Sequence, residues 1–305
     1  MSRLVMSRLG RLLASAISAA SMLACFVGVA AAQQVKTLDV HHEPARLFDY
    51  RPMSPDLPQV AASHPLVSVI EFARHEQLYL RQTVHDFTCR MVKRERIDGI
   101  LQENHFVDMQ VREEVRSGGQ VVRPLAISLR FLAPAKIASR RVLFVAGQND
   151  GKMLVRNGGK HFDYVVAKID PDGKTAREES LVPITEVGFT RLLNLMISVL
   201  ERHAHADPKG ENTKVERIAG AKLNGRPCNV VRVTHPRKEE GLEFHVVNVF
   251  IDDELRVPVR VDYSDWPRHT GQTPPLLAEY TYTQLKLNVN LPANAFDPTA
   301  LKSNR

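Results

Sequence analysis

The chain has 305 residues and a formal net charge of +7. Setting aside residues 1–32, which hold three arginines and no acids, brings that to +4, so charge gives no reason to expect nucleic acid as a partner. About 270 residues remain, enough for one large β-rich domain or two small ones, and no second apolar run approaches membrane-spanning length.

Arg3, Arg8 and Arg11 precede an apolar stretch from Leu12 to Val29 and then Ala30-Ala31-Ala32. This is the pattern of a secretory signal peptide (residues 1–32) cleaved after Ala32, which makes the product periplasmic or secreted. Small Ala and Ser residues dominate the stretch, and its arginines lie only upstream. Both features favour cleavage over retention as an anchor. Met22-Leu23-Ala24-Cys25 resembles a lipoprotein cleavage box that would lipidate Cys25, but apolar residues continue past it, so this alternative ranks second. Residues 33–62 carry Pro44, Pro52, Pro55 and Pro58 without an apolar period and read as a flexible leader. Its His41-His42-Glu43 is read as solvated, because a metal would need further ligands from the same leader.

From Ser63 the pattern becomes helical: Leu66, Val69, Ile70, Ala73, Leu80 and Val84 recur on one face. His75-Glu76-Gln77-Leu78-Tyr79 begins like the HExxH zinc motif but ends in Tyr79, so the second metal-binding imidazole is missing. Alternation then predicts strands over Phe87, Cys89 and Met91, over Val107, Met109 and Val111, and over Leu125, Ile127, Leu129 and Phe131. Residues 142–146 (VLFVA) are apolar on both faces and read as central. Asn149-Asp150-Gly151 and Asp170-Pro171-Asp172-Gly173 read as hairpin turns. A second helix is expected near Thr185, with Phe189, Leu192, Leu193, Met196, Ile197 and Leu200 on a stripe broad enough to need cover on most sides. It ends in His203-Ala204-His205, read as a solvated pair rather than a metal site. Further strands follow at Val230 to Val233, 244–251, Val257 to Tyr263 and Tyr280 to Leu287, with Pro258 suiting an edge or a bulge.

The run Cys89-Arg90-Met91-Val92-Lys93-Arg94-Glu95-Arg96-Ile97-Asp98-Gly99 sits at a predicted hairpin. Apolar odd positions on both strands must share a face, so paired numbers must sum to an even value. A three-residue loop Ile97-Asp98-Gly99 satisfies this by pairing Phe87 with Met109, Cys89 with Val107 and Lys93 with Glu103. Lys93 and Glu95 then share the apolar face, while Arg94 and Arg96 point away. The cluster reads either as a charged tip protected from edge pairing or as a basic rim, Lys93, Arg94 and Arg96, that meets a partner. Cys89 and Cys228 are the two cysteines left after export and are expected to pair; such a long loop would contribute roughly 4 to 5 kcal/mol in the chain-entropy model.

Phe87-Thr88-Cys89, Val92-Lys93-Arg94-Glu95-Arg96 with Gly99, Leu129-Arg130-Phe131-Leu132-Ala133-Pro134, Val142-Leu143-Phe144-Val145, Gly147-Gln148-Asn149-Asp150-Gly151-Lys152 and Pro183-Ile184-Thr185-Glu186-x-Gly188 together resemble the secreted domain-of-unknown-function family numbered 1571. The resemblance covers roughly residues 65–300. It implies the fold of the LolA/LolB lipoprotein carriers, an α+β incomplete antiparallel β-barrel with two main covering helices. That fold would fill residues 63–300 as a single domain and leave 301–305 as a tail.

No GxSxG elbow, complete metal motif or phosphate loop is present, so no enzyme and no cofactor is expected. The leading expectation is a non-enzymatic exported module, at most peripheral to the membrane, that binds a lipid, a lipoprotein acyl chain or another apolar ligand. Phe87, Met91, Leu129, Phe131, Leu193, Met196 and Leu200 would line one cavity. The alternative is an envelope scaffold with a filled core whose basic hairpin contacts a protein partner. An empty apolar cleft separates the first from the second.

Overall fold

The computed structural model of the chain describes residues 60–158 and 165–301. The expected signal peptide (residues 1–32), Cys25 and nearly all of the expected leader (residues 33–62) lie outside the described residues. In chain order the elements are α1 (Val67–Thr83), β1 (Asp86–Ile97), β2 (Ile100–Leu101), β3 (His105–Arg112), β4 (Val115–Ser117), β5 (Gln120–Arg123), β6 (Ala126–Ala133), β7 (Arg141–Val145), β8 (Met153–Arg156), β9 (Val166–Ile169), α2 (Lys174–Arg177), α3 (Phe189–Ala206), β10 (Lys214–Leu223), β11 (Arg226–Thr234), β12 (Val246–Asp252), β13 (Pro258–Ser264) and β14 (Leu276–Leu287). Twelve strands form one antiparallel sheet in the order β10-β11-β12-β13-β14-β1-β3-β6-β7-β8-β9, with β2 beside β1. Strands β9 and β10 end the order unpaired with each other, so the barrel is incomplete, as the α+β expectation has it.

Alternation assigns the faces. On β1 the odd residues from Phe87 to Ile97 are buried and the even ones from Thr88 to Arg96 are partly exposed. The inward set joins α1 and α3 in one core, while the other face carries charge ladders such as Arg90 and Arg130 on Asp108, at 2.8 and 2.7 Å. Strand β7 is apolar on both sides for a specific reason. Val142 and Phe144 join the main core, whereas Leu143 and Val145 pack under Phe296 and Leu301 of the C-terminal segment.

The hairpin keeps the even sum by another device. Asp98 and Gly99, at φ 49° and 78°, make a two-residue turn that pairs Ile97 with Ile100. One extra residue between Gln102 and His105 then restores parity, so Phe87 pairs with Val111, Cys89 with Met109 and Lys93 with His105. Each partner thus lies two residues beyond the expected one. Pro258 sits where the register with β12 shifts, a bulge rather than an edge. Residues 149–151 connect the paired β7 and β8, whereas 170–173 lead into the short α2 and make no hairpin.

The expected disulfide is absent: Cys89 and Cys228 are both free and buried. Three strands, β12 to β14, separate β11 from β1 in the sheet. At about 4.8 Å per strand, the two cysteines cannot approach the roughly 4.4 to 6.8 Å Cα separation a disulfide needs. Burial pushes the Cys89 thiol up to about 12, so it behaves as a small apolar side chain. His203 is also not solvated. It is fully buried, with Nε2 accepting the Glu243 N–H at 3.1 Å and Nδ1 lying 2.9 Å from His235 Nε2. The first contact places the His203 proton on Nδ1, and burial holds both imidazoles below their usual range.

Helix α3 begins at Phe189, later than expected, because Gly188 takes φ 120° and breaks the preceding turn. It has no local cap. Glu113, just beyond β3 and in phase with its inward odd residues, accepts the Phe189 N–H at 2.6 Å and so caps the helix from a distance. A Cβ at Gly188 would lie 3.0 Å from that carboxylate, so the close approach requires glycine.

Burial raises the Glu113 carboxyl from 4.5 to about 7, against the lowering pull of the Phe189 and Thr190 N–H groups. The folded state therefore holds this proton to higher pH than the unfolded state, and stability is lost as pH rises from about 4.5 through about 7. Glu113→Gln keeps an acceptor and cannot ionise. Thermal unfolding across that window should show wild type losing stability relative to this variant as pH rises, and parallel curves would contradict the assignment. Glu113→Ala should cost roughly 1 to 3 kcal/mol at any pH in the range, by orphaning buried donors.

Candidate functional site

Between the sheet and one side of α3 lies a cavity of about 270 Å³. The sheet contributes Met91, Leu129, Phe131 and Met153, and α3 contributes Leu192 and Leu195. Tyr263 and Tyr282 close the β13–β14 side, and burial pushes both phenols well above their ordinary range, which keeps them neutral. The wall is predominantly apolar, the chemistry of a site that takes hydrocarbon rather than a charged metabolite.

One end of the cavity is polar and closely organised. Lys93, 6% exposed, donates from Nζ to Glu95 Oε2 at 2.6 Å, to Ser180 Oγ at 2.9 Å and to the Glu179 carbonyl at 3.4 Å. Glu95, 3% exposed, also accepts from the Tyr280 hydroxyl at 2.6 Å and from the Leu181 N–H at 3.2 Å. This is a buried ion pair with its polar atoms engaged, and it ties the segment approaching α3 to β1. Beside it, His105 enters the cavity wall from β3 with its ring 6.3 Å from that of Phe131. Neither ring nitrogen of His105 has a hydrogen-bond partner among the described residues. Burial, and then the Lys93 charge, hold its pKa down at about 4, so the imidazole is neutral at pH 7.

The expected ligand residues divide. Met91, Leu129 and Phe131 do line this cavity together. Leu193, Met196 and Leu200 instead face a second space of about 40 Å³, with Val69 and Ala73 of α1 on its other side. Phe87 lies in neither wall; it packs on Phe189 with ring centroids 4.5 Å apart. The split follows from helical geometry, because positions 193, 196 and 200 share a face that 192 and 195 do not. The rim expectation changes for Lys93, which faces the interior. Arg94 Nε donates to the Gln102 carbonyl at 3.1 Å and Arg96 Nε to the Leu276 carbonyl at 2.9 Å, so both arginines brace the hairpin.

Leu192, Leu195, Met153 and His105 were not among the expected ligand residues. Parity could have found His105, since it is in phase with Val107 and Met109; Leu192 was placed on the helical stripe, but nothing local marks it, Leu195 or Met153 as facing this cavity. Among the described residues no group of three or more His, Cys, Asp or Glu is placed to hold a metal, and no helix is long and apolar enough to cross a membrane.

No curated protein matches the chain. Solved structures similar to it include a DUF1329 family protein from Desulfovibrio piger, 14% identical, covering 78% of this chain and 100% of that one at a TM-score of 0.37. Lipoprotein LppX from Mycobacterium tuberculosis is 13% identical, with 74% and 99% covered and a TM-score of 0.37. A LolA superfamily protein from Nitrosomonas europaea is 8% identical, with 75% and 98% covered and a TM-score of 0.31. At these scores the likeness is loose, and the function has to be read from the cavity itself. A family model described as a protein of unknown function (DUF1571) matches residues 84–304, most of the chain, and the chain therefore belongs to that family.

Proposed function

We propose that the chain is an exported, non-enzymatic module that holds an apolar ligand, a lipid or an acyl chain, between its sheet and α3. The observation that carries this reading is the cavity of about 270 Å³ walled by Met91, Leu129, Phe131, Leu192 and Leu195. A filled scaffold core would close such a space, because interiors pack with few voids larger than a water molecule. The size sits just under the roughly 300 to 1,000 Å³ of small-ligand sites. Export through residues 1–32, cleavage after Ala32 and one domain over residues 63–300 complete the reading, supported by the basic start and the Ala-rich end of the leader peptide.

The binding test uses the chain from Gln33 onward and N-phenyl-1-naphthylamine, an uncharged dye that brightens in apolar sites. Wild type should bind it saturably. Met153→Trp, which fills the large cavity, should weaken binding by at least tenfold, while Met196→Trp, beside the small space, should leave it within about twofold. Equal effects of the two substitutions, or no saturable binding by wild type, would refute the ligand reading. Mass spectrometry of the protein from its native envelope should give a mature start at Gln33; a diacylated Cys25 would establish the lipoprotein route instead.

A further inference from the structure

The charges around the cavity are already matched within the protein. All three Lys93 donors are engaged, by Glu95, Ser180 and the Glu179 carbonyl, and Arg140 Nη1 donates to Glu179 Oε2 at 3.0 Å. Glu186 adds a further acidic group to the wall, and burial raises its pKa. An anionic headgroup entering here would meet paired cations and an excess of carboxyl groups. It would give up its hydration for no free counter-charge.

Arg140 Nε also lacks a hydrogen-bond partner among the described residues, although Glu179 matches its charge; His105 is the fuller exception. It is 8% exposed, lines the cavity, and has neither a donor nor an acceptor for its two ring nitrogens among the described residues. A buried polar group without a partner is costly, and native proteins retain few of them. A neutral imidazole offers one N–H donor and one bare nitrogen acceptor, and a hydroxyl group, which both donates and accepts, can satisfy either. The rest of the cavity, from Leu129 and Phe131 to Leu192 and Leu195, offers mostly apolar surface for what that hydroxyl is attached to.

We infer that the ligand is an uncharged amphiphile, a hydrocarbon chain bearing a hydroxyl headgroup, and that His105 is the residue that binds its oxygen. This deepens the reading of the cavity as a ligand site and depends on it. The ligand class is that of long-chain alcohols and mono- or diacylglycerols, as distinct from free fatty acids or phospholipids, whose headgroups carry an ionised carboxylate or phosphate.

The experiment displaces N-phenyl-1-naphthylamine from the purified chain with 1-dodecanol and, separately, with dodecanoate at pH 8, where the acid is ionised. One hydrogen bond made in place of an orphaned group corresponds to roughly a five- to tenfold preference. Wild type should favour dodecanol by at least that factor. His105→Phe, which keeps a ring against Phe131, should lose that preference, its dodecanol and dodecanoate affinities each read against its own dye affinity. Its melting temperature should rise in the absence of ligand, since an orphaned buried polar group is gone. His105→Gln should recover most of the preference for the alcohol.

Preference of wild type for dodecanoate would overturn the inference and leave the cavity reading standing. So would an unchanged preference for dodecanol over dodecanoate in His105→Phe. Failure of wild type to bind the dye or either amphiphile would bring down the cavity reading itself, and this inference with it.

Discussion

Two carboxylates on the inner face of the sheet, Glu95 and Glu113, fix where α3 can lie, and the rest of the interior follows from that. An open antiparallel sheet of twelve strands with one apolar face must cover that face, and α3 brings a broad apolar stripe to it. Hydrophobic burial alone would let such a helix slide or roll, because it has no direction of its own. Glu113 pins the first turn through the Phe189 N–H, and Glu95 holds the approach through the Leu181 N–H. A buried carboxylate is tolerable only when its lone pairs are used. Lys93 and Tyr280 complete Glu95, and the helix N-terminus completes Glu113.

With both ends of its approach fixed, α3 divides the space under the sheet. Leu192 and Leu195 face a roomy compartment walled by the early strands, while Leu193, Met196 and Leu200 pack closely toward α1. The tight side is further fastened by the Gln77 amide on Asn194 and by Arg74 on Glu201. At the far end of α3, His203 and His235 form a buried neutral pair that holds the helix C-terminus to β11. The helix is thus restrained by polar contacts at its start, middle and end, which lets one flank remain underfilled without the fold collapsing into it.

Much of this was legible in the residues. Alternation placed Phe87, Cys89, Met91, Lys93 and Glu95 on one face, and helical spacing found the buried side of α1. The even-sum rule for the hairpin was right, but its means was not: a tight Asp98-Gly99 turn followed by a bulge gives the same parity as a longer loop, and no residue in 102–104 announces the extra position. The cysteine pairing failed because an even count says nothing of strand order, and three strands intervene. The division of the ligand residues was hidden for a similar reason. Periodicity shows that α3 is apolar on most sides, but which side meets slack packing depends on tertiary contacts from α1 and from the early strands, far away in sequence.

The most direct test of the account is a crystal structure of the chain from Gln33 onward, grown with saturating 1-dodecanol. The account predicts one ordered hydrocarbon chain between Leu129 and Leu192, its oxygen within about 3.2 Å of a His105 ring nitrogen. Side chains filling that space, or a dodecanol bound on the Met196 side of α3 with His105 untouched, would contradict it.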